Sequence, residues 1–417
     1  MSVFGNKYLI LLLAFFSPMI INIGGEVSPS FLFILFSFPF WKKYLPTKND
    51  RNFWYIIHLF EILLCVQILW IPFSDTDLIN QIKGILVVIS GMLFFMYYYI
   101  VYIHNQEPLK WAVLGTFISS FVFIDVLVEM EGSDFGMWKF QIMPRLVSLC
   151  ALINLWGANN AKIQHLSPLL FIFIGGLGVA TGARSTGLTP FIAGLLMYVL
   201  QFRKNIKVKQ IKKYIFSIFL LGYAFFAVVY VPNVINGNIN AGNSEQIKEL
   251  ENPYNPLNLL MLGRSTSIVP FLAFLDKPLT GWGYMAQDPN GYYRFLAHKL
   301  MTPDEVLASL SSEKATIPRH SGWGDLSCSY GIIGFLSIFL ILKRCFSILF
   351  KSFVVRDKYL LYRIFIALSF LWNILFSPLS HFKYETMYIA IIMAISLIEL
   401  KKYKYEGNTS SDSNVRK

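Results

Sequence analysis

The chain has 417 residues, of which 55% are hydrophobic, 17% aromatic and only 14% charged. Soluble domains carry about 25% charged residues, so this composition excludes one large water-soluble core and points to lipid as the solvent. The formal charge of +12 does not indicate a nucleic-acid partner, because the cations fall in short runs between apolar stretches, where membrane orientation is encoded.

In chain order, apolar segments close to the ~20 residues that a spanning helix needs begin near Tyr8, Val27, Phe53, Ile82, Leu109, Arg145, Leu166, Ser185, Tyr214, Trp323, Tyr359 and Thr386. The first follows Lys7 and lacks a small-x-small cleavage site, which predicts a retained span and not a removed signal peptide. The expected architecture is all-α and integral to the membrane, with about twelve transmembrane helices. It divides into spans 1–9 over residues 1–232, a large external loop with short helices over 233–322, spans 10–12 over 323–400, and a polar, disordered tail over 401–417. No internal repeat is visible, and the lateness of the loop argues against an inverted-repeat carrier.

Four basic clusters set the expected orientation. They are Lys42, Lys43, Lys48 and Arg51; Arg203, Lys204, Lys207, Lys209, Lys212 and Lys213; Lys343, Arg344, Lys351, Arg356 and Lys358; and Lys401, Lys402 and Lys404. With alternating spans all four fall on one side, which the positive-inside rule assigns to the cytoplasm. Both termini are then cytoplasmic and the long loop is external, in a multi-pass membrane protein. The cysteines (Cys65, Cys150, Cys328 and Cys345) form no CxxC pair, and the six histidines form no ligand spacing. Neither a disulfide framework, a metal nor a cofactor is expected.

The interruption from Val231 to Gly324 is far longer than the few residues of an ordinary connection. It opens with VPNVINGN, carries GRSTSIVPFLAFLDKPLTGWGY and closes with IPRHSGWGDLSCSYGIIGF. Asn255-Pro256 reads as the start of a helix, and Thr302-Pro303-Asp304-Glu305 as a capping box. The apolar patch Ile268–Leu275, broken by Pro270, is too short to span and is expected on the membrane surface or beneath the loop. The loop holds Arg264, Arg294, Arg319 and His320.

Three places join charge to an unusual backbone. Arg184 ends the seventh segment within GGLGVATGARSTG. It reads either as a cation snorkelling to the interface or as one held in a packed cavity against an anion, and the glycine crowding favours the second. Arg264 lies in GRST ahead of the apolar patch, and Arg319-His320 immediately precedes the tenth span. Taken singly, each also fits an ordinary surface or capping residue.

Together they resemble the O-antigen ligase and polymerase superfamily. TGARSTGLTPFIAGLLMYVL is similar to its T-G-S-R-small segment, and GRSTSIVPFLAFLDKPLTGWGY to its arginine-containing loop followed by PLxGxG, here Pro278, Leu279, Gly281 and Gly283. RHSGWGDLSCSYGIIGF is similar to the histidine ahead of the last spans and the following Gly-x-x-Gly, here Gly331 and Gly334. The resemblance covers roughly Leu166–Phe339. Ligases usually carry Asn after the histidine, where this chain has Ser321.

The resemblance implies glycosyl transfer, without a metal, from an undecaprenyl-diphosphate-linked oligosaccharide. It also implies a chain-length regulator as a possible protein partner. Arg184 and Arg264 would grip the departing diphosphate, which arginine does with a permanently charged, bidentate fork. His320 would take the proton of the attacking hydroxyl. Arg319, Asp325 and Arg294 are second-tier candidates for substrate binding. An O-antigen type polymerase is the expected activity. An O-antigen ligase acting on lipid A-core is the alternative, followed by a protein oligosaccharyltransferase or a lipid-linked-sugar flippase. Few charges lie inside the spans, which favours an enzyme over the flippase.

Overall fold

The structure is a computed structural model and describes residues 5–22, 26–74, 76–123, 137–202, 208–237, 247, 252–255, 258, 265–288, 291–299, 316–379 and 382–415. The fold is almost entirely helical. Among the described residues, extended pairing is confined to a two-residue ladder, Ile21–Asn22 against Glu26–Val27, and one bridge between Gln287 and Thr316.

The first half comprises α1 (Lys7–Phe16), α2 (Pro29–Phe36), α3 (Phe38–Trp41), α4 (Arg51–Trp70), α5 (Leu78–His104) and α6 (Pro108–Val122). It is followed by α7 (Met143–Trp156), entered through a π-helical turn at Trp138–Ile142, then α8 (Ala161–Ala180), α9 (Arg184–Gln201), α10 (Val208–Phe225) and α11 (Val231–Ile235). The loop contributes α12 (Ser265–Asp276) and α13 (Tyr292–Lys299), and the chain closes with α14 (Gly322–Ser352), α15 (Leu360–Phe376) and α16 (Phe382–Val415).

Every apolar segment read from the sequence contains helix. Five stretches are long and apolar enough to cross a membrane: Arg51–Trp70, Leu78–His104, Trp138–Asn159, Ala161–Ala180 and Gly322–Ser352. Several of the other apolar helices are shorter, α1, α6 and α15 among them. Among the described residues, length and apolarity alone thus single out these five of the segments that the sequence reads as about twelve spans. Pieces such as α2 and α3 are separate helices because Ser37 ends one and Pro39 opens the next. Large apolar side chains stand exposed along many helices, including Leu69, Phe173, Phe216, Leu221 and Val228. Such a surface suits lipid and not water.

At the centre, α5 and α16 pack side by side, with Gly91 of α5 against Phe382 and Thr386. The basic segments meet at one end: Arg344 stands 5.5 Å over the Tyr55 ring, Lys358 donates to Asn159 and Gln106 to Glu399. The other end carries the loop and is called the loop end.

The glycines of GGLG do what small residues do between apolar helices. A Cβ on Gly175 would strike the backbone of Phe191, and one on Gly187 would come 2.6 Å from Gly175 O. Arg184 does not end the seventh segment, as the sequence suggests. Helix α8 stops at Ala180, the chain turns at Gly182 (φ 89°), and Arg184 begins α9. Two further expectations change. Pro270 does not break the apolar patch, since α12 runs through it and packs on α14. Residues 401–415 continue α16 as helix, because a helix already nucleated by packing extends at little cost. The expected capping box at Thr302–Glu305 lies outside the described residues, as does Pro256.

Candidate functional site

Helix α14 is two helices joined by a bend. Tyr330 (φ −127°, ψ 15°) and Gly331 (φ 61°, ψ −146°) leave helical conformation. The bend is sharp enough to bring Trp323 onto Phe335, with ring centroids 5.1 Å apart and the indole donating to Phe335 O at 3.2 Å. A bend frees backbone groups that lipid cannot satisfy, and the loop supplies their partners. Trp282 N–H donates to Cys328 O at 2.7 Å, Gly283 N–H to Ser329 O at 3.1 Å, and Ile332 N–H to Pro278 O at 2.6 Å. The approach needs glycine on both sides. A Cβ on Gly331 would lie 2.5 Å from Leu279 O, and one on Gly281 (φ 70°) 2.5 Å from the Ser329 carbonyl carbon. PLTGWG and SCSYG thus form one interlocked junction.

Arg319 ties the junction together. Its Nη1 donates to Ser329 Oγ at 2.8 Å and its Nη2 to Gly283 O at 2.9 Å, while the guanidinium stands 5.9 Å from the Tyr284 ring. His320 follows with an exposed side chain, and its carbonyl accepts from Ser267 Oγ of α12 at 2.8 Å. Ser321 caps α14, accepting from Gly324 N–H at 3.0 Å and donating to Ile374 O of α15 at 3.4 Å. Serine is among the strong N-cap residues, and here it satisfies one of the free donors at the start of α14.

Behind these residues lies a carboxyl pair. Asp325 is 2% exposed; its Oδ2 accepts from Leu379 N–H at 3.1 Å, and its Oδ1 has no partner among the described residues. Glu385, in the first turn of α16, is fully buried, and neither of its oxygens has a partner among the described residues. The two carboxyls are close enough to interact electrostatically, and Glu385 lies against Gly322, just behind the His320 backbone. The sequence reading did not single out Glu385. The available signal was a lone carboxylate three residues into an apolar run.

Arg264 lies outside the described residues, and so does the side chain of Arg184. The residue after Arg264 begins α12, the helix that holds the His320 carbonyl. For Arg184 the backbone gives a level. Lys358 and Phe365 meet Asn159 and Phe171, so α15 runs alongside α8, and α9 returns antiparallel to both. Ser369 Oγ donates to Thr189 Oγ1 at 3.5 Å. At ~1.5 Å rise per residue, Arg184 is then level with Ile374, the residue that accepts from Ser321.

Arg294 is elsewhere. It lies in the first turn of α13 beside Tyr293, and both backbone N–H groups donate to the Asp288 carboxylate, at 2.7 and 3.0 Å. Its Nε is 3.9 Å from the same carboxylate. Its neighbour Tyr293 belongs to a small loop core with Val269, Ala273, Ile317 and others. There burial and the adjacent Asp276, which accepts a hydrogen bond from the Tyr293 hydroxyl, push the Tyr293 pKa up. No cluster of three or more metal-binding side chains occurs among the described residues. No protein-family model matches the chain, and no curated protein matches it significantly.

Proposed function

We propose that this protein is a membrane glycosyltransferase of the O-antigen polymerase type. It would join polyprenyl-diphosphate-linked oligosaccharide repeat units at the outer face of the bacterial inner membrane. One observation supports the reading: two of the three segments that bear the resemblance interlock at one end of the bundle, and the backbone of the third lies level with them. The helix following Arg264 bonds the His320 carbonyl, the PLTGWG strap pairs with the bend after His320, and Arg184 is level with Ile374 beside Ser321.

In this reaction the acceptor sugar hydroxyl attacks the anomeric carbon of the donor. The bond from that carbon to the diphosphate oxygen breaks, and its electron pair leaves with the diphosphate. The hydroxyl proton passes to His320, whose exposed imidazole can reach a substrate arriving from either membrane or solvent. Arg184 and Arg264 neutralise the charge that grows on the leaving group. Arg184 is well suited, since as the first residue of α9 it adds its charge to the positive end of a helix dipole. Arg319 shapes the floor of the site by holding the strap to the bend.

The test is a deletion strain complemented with wild-type protein, Arg264→Ala or His320→Gln. Loss of the glycan ladder with a single repeat still attached to core supports polymerisation, and failure of both variants to restore it supports the assigned roles. Loss of every attached repeat instead indicates the ligase reaction. An unchanged ladder in the deletion strain overturns the reading.

A further inference from the structure

The outer face of α4 carries a charged pair where a membrane helix should be apolar. Arg51–Trp70 is one of the five stretches long and apolar enough to cross a membrane. One side of it, with Phe53, Ile56, Phe60 and Leu63, is buried, and its packing partners are α5 and α14. On the opposite side lie Tyr55, His58, Ile62, Cys65 and Leu69, all exposed and alternately three and four residues apart. Glu61 flanks this stripe, with its Oε2 2.7 Å from His58 Nδ1. The His58 and Glu61 side chains are 63% and 53% exposed. Glu61 stands at the middle of α4, with about 15 Å of helix on either side.

Hydrocarbon offers such a pair neither donor nor acceptor, and ionisable groups within membrane helices turn to the protein interior or to a partner. A lysine or arginine could carry its charge to the interface on a long stem, but a glutamate at mid-helix cannot. Within the chain the pair is incomplete. Among the described residues, His58 Nε2 and Glu61 Oε1 have no hydrogen-bond partner. The stripe itself has the spacing of a helix–helix seam.

Its charge says what would cover it. A stripe of one sign calls for a partner of the other sign. This one holds a donor and an acceptor three residues apart, so it complements a copy of itself. Copies of one chain share an orientation in the membrane, and a two-fold axis along the membrane normal sets α4 against α4 as a parallel pair. A protonated imidazole donates from both nitrogens. Each His58 can then bond its own Glu61 through Nδ1 and the second copy's Glu61 through Nε2. The ring of four side chains leaves no charge facing lipid.

We propose that the outer face of α4 is the interface of a two-fold dimer of this chain, closed at mid-membrane by a ring of two His58–Glu61 pairs. Nothing in this interface depends on the glycosyl-transfer reading.

Cys65 supplies the readout, because it is exposed on the stripe while Cys150, Cys328 and Cys345 are buried. At a seam position the two copies' sulfurs come within disulfide reach. Native membranes holding the full-length protein are oxidised with copper phenanthroline and run without reductant, beside an immunoblot for abundance. The wild type should give a reductant-sensitive band at twice the chain mass, absent in Cys65→Ser. That band should fall threefold or more in Glu61→Leu and in His58→Leu/Glu61→Leu at unchanged abundance, since both side chains are exposed. Phe173, exposed at a similar depth on α8, measures chance collision: Cys65→Ser/Phe173→Cys should cross-link at least threefold less than the wild type. Cross-linking through Cys65 no better than through this control would overturn the dimer, as would a band unmoved by either Leu variant. An adduct of any other mass would overturn it too, by showing that a different protein covers the face. Should the Leu variants fail to accumulate, wild-type chains carrying one fluorophore each and diluted in liposomes decide the matter. Bleaching in two steps is expected, and single steps alone would sink the dimer.

Discussion

Two arginines, one at each end of the bundle, are held in opposite ways. Arg363, at the basic end, is fully buried and ion-paired with Asp357, and its Nη1 donates to Ser352 Oγ at 2.9 Å and Ser396 Oγ at 2.6 Å. Its charge is cancelled on the spot, and the result is a clasp joining α14, α15 and α16. Arg319, at the loop end, is held by a hydroxyl and a backbone carbonyl. Asp325 is within electrostatic reach, but no carboxylate comes within ion-pair distance among the described residues. Among the described residues, neighbouring acceptors at the loop end also lack partners: Gln81 Oε1, Asp325 Oδ1 and both oxygens of Glu385. The basic end thus spends its arginine on an ion pair and two hydroxyls that join three helices, whereas the loop end spends its own on fastening one strap to one bend.

The comparison predicts that substitutions at the two ends fail differently. The largest effect should come from His320→Gln, with polymer formation falling roughly a hundred- to ten-thousand-fold, the range for a lost general base. Membrane abundance should stay near wild type, because the side chain is exposed and the backbone contact to Ser267 does not depend on it. Quantitative immunoblotting beside glycan-ladder density measures both. Near-normal polymer would remove His320 from the chemistry and turn attention to the Asp325–Glu385 pair.

Arg363→Leu should do the converse. Removing one partner of a buried ion pair costs about 3–5 kcal/mol, mostly from the stranded charge. Here Asp357 would be stranded, and the expected signs are a lowered melting temperature and low abundance, with activity per molecule retained. The double variant Arg363→Leu/Asp357→Leu should recover much of the loss, because an apolar pair of similar size fills the same space. If Arg363→Leu left stability intact and abolished activity, the structural reading of the basic end would be wrong.

Much of this division was legible in the sequence. Apolar length and the basic clusters gave the helical class and its two ends, and the crowded glycines at Gly175 and Gly187 gave a close helix pair. Gly281, Gly283 and Gly331 were named only through the resemblance, and two of the three resembling segments prove to be locked to each other through them. Legibility failed where the decisive fact was relative position. Glu385 is a single carboxylate whose burial depends on what packs over it. The bend in α14 was hidden because SYGIIGF continues the apolar run, so that length alone reads one unbroken span. Pro270 misled in the opposite direction: a proline inside a helix forfeits one bond, and packing on α14 can compensate.

Gly331→Ala tests the junction itself. The alanine would have to adopt φ near 61° with its Cβ 2.5 Å from Leu279 O. Strain of this kind costs about 1–3 kcal/mol, and relief requires the strap to leave the bend. Thermal unfolding should move down modestly, while limited proteolysis of the 278–284 strap should accelerate more than cleavage elsewhere. Uniform destabilisation with no preferential cutting of the strap would show that the bend does not depend on it.

The smallest expected effect is at Ser321, and it bears on how the departure from the ligase pattern is read. Ser321 Oγ accepts from Gly324 N–H at 3.0 Å and so satisfies one of the free donors at the start of α14. Losing such a cap costs about 1 kcal/mol. Ser321→Ala should therefore lower stability by roughly that amount and disturb the His320 backbone only slightly, with a small drop in polymer yield. Ser321→Asn should restore the cap, since asparagine ranks with serine at this position. The pocket is tight, because Ser321 is fully buried against Ile374 O, so the bulkier amide must fit within it. If Ser321→Asn matches the wild type in stability and product, the residue after His320 acts as a cap and does not separate polymerase from ligase. A switch in product with stability unchanged would instead make Ser321 a determinant of the acceptor, and would link the loop end directly to the choice of reaction.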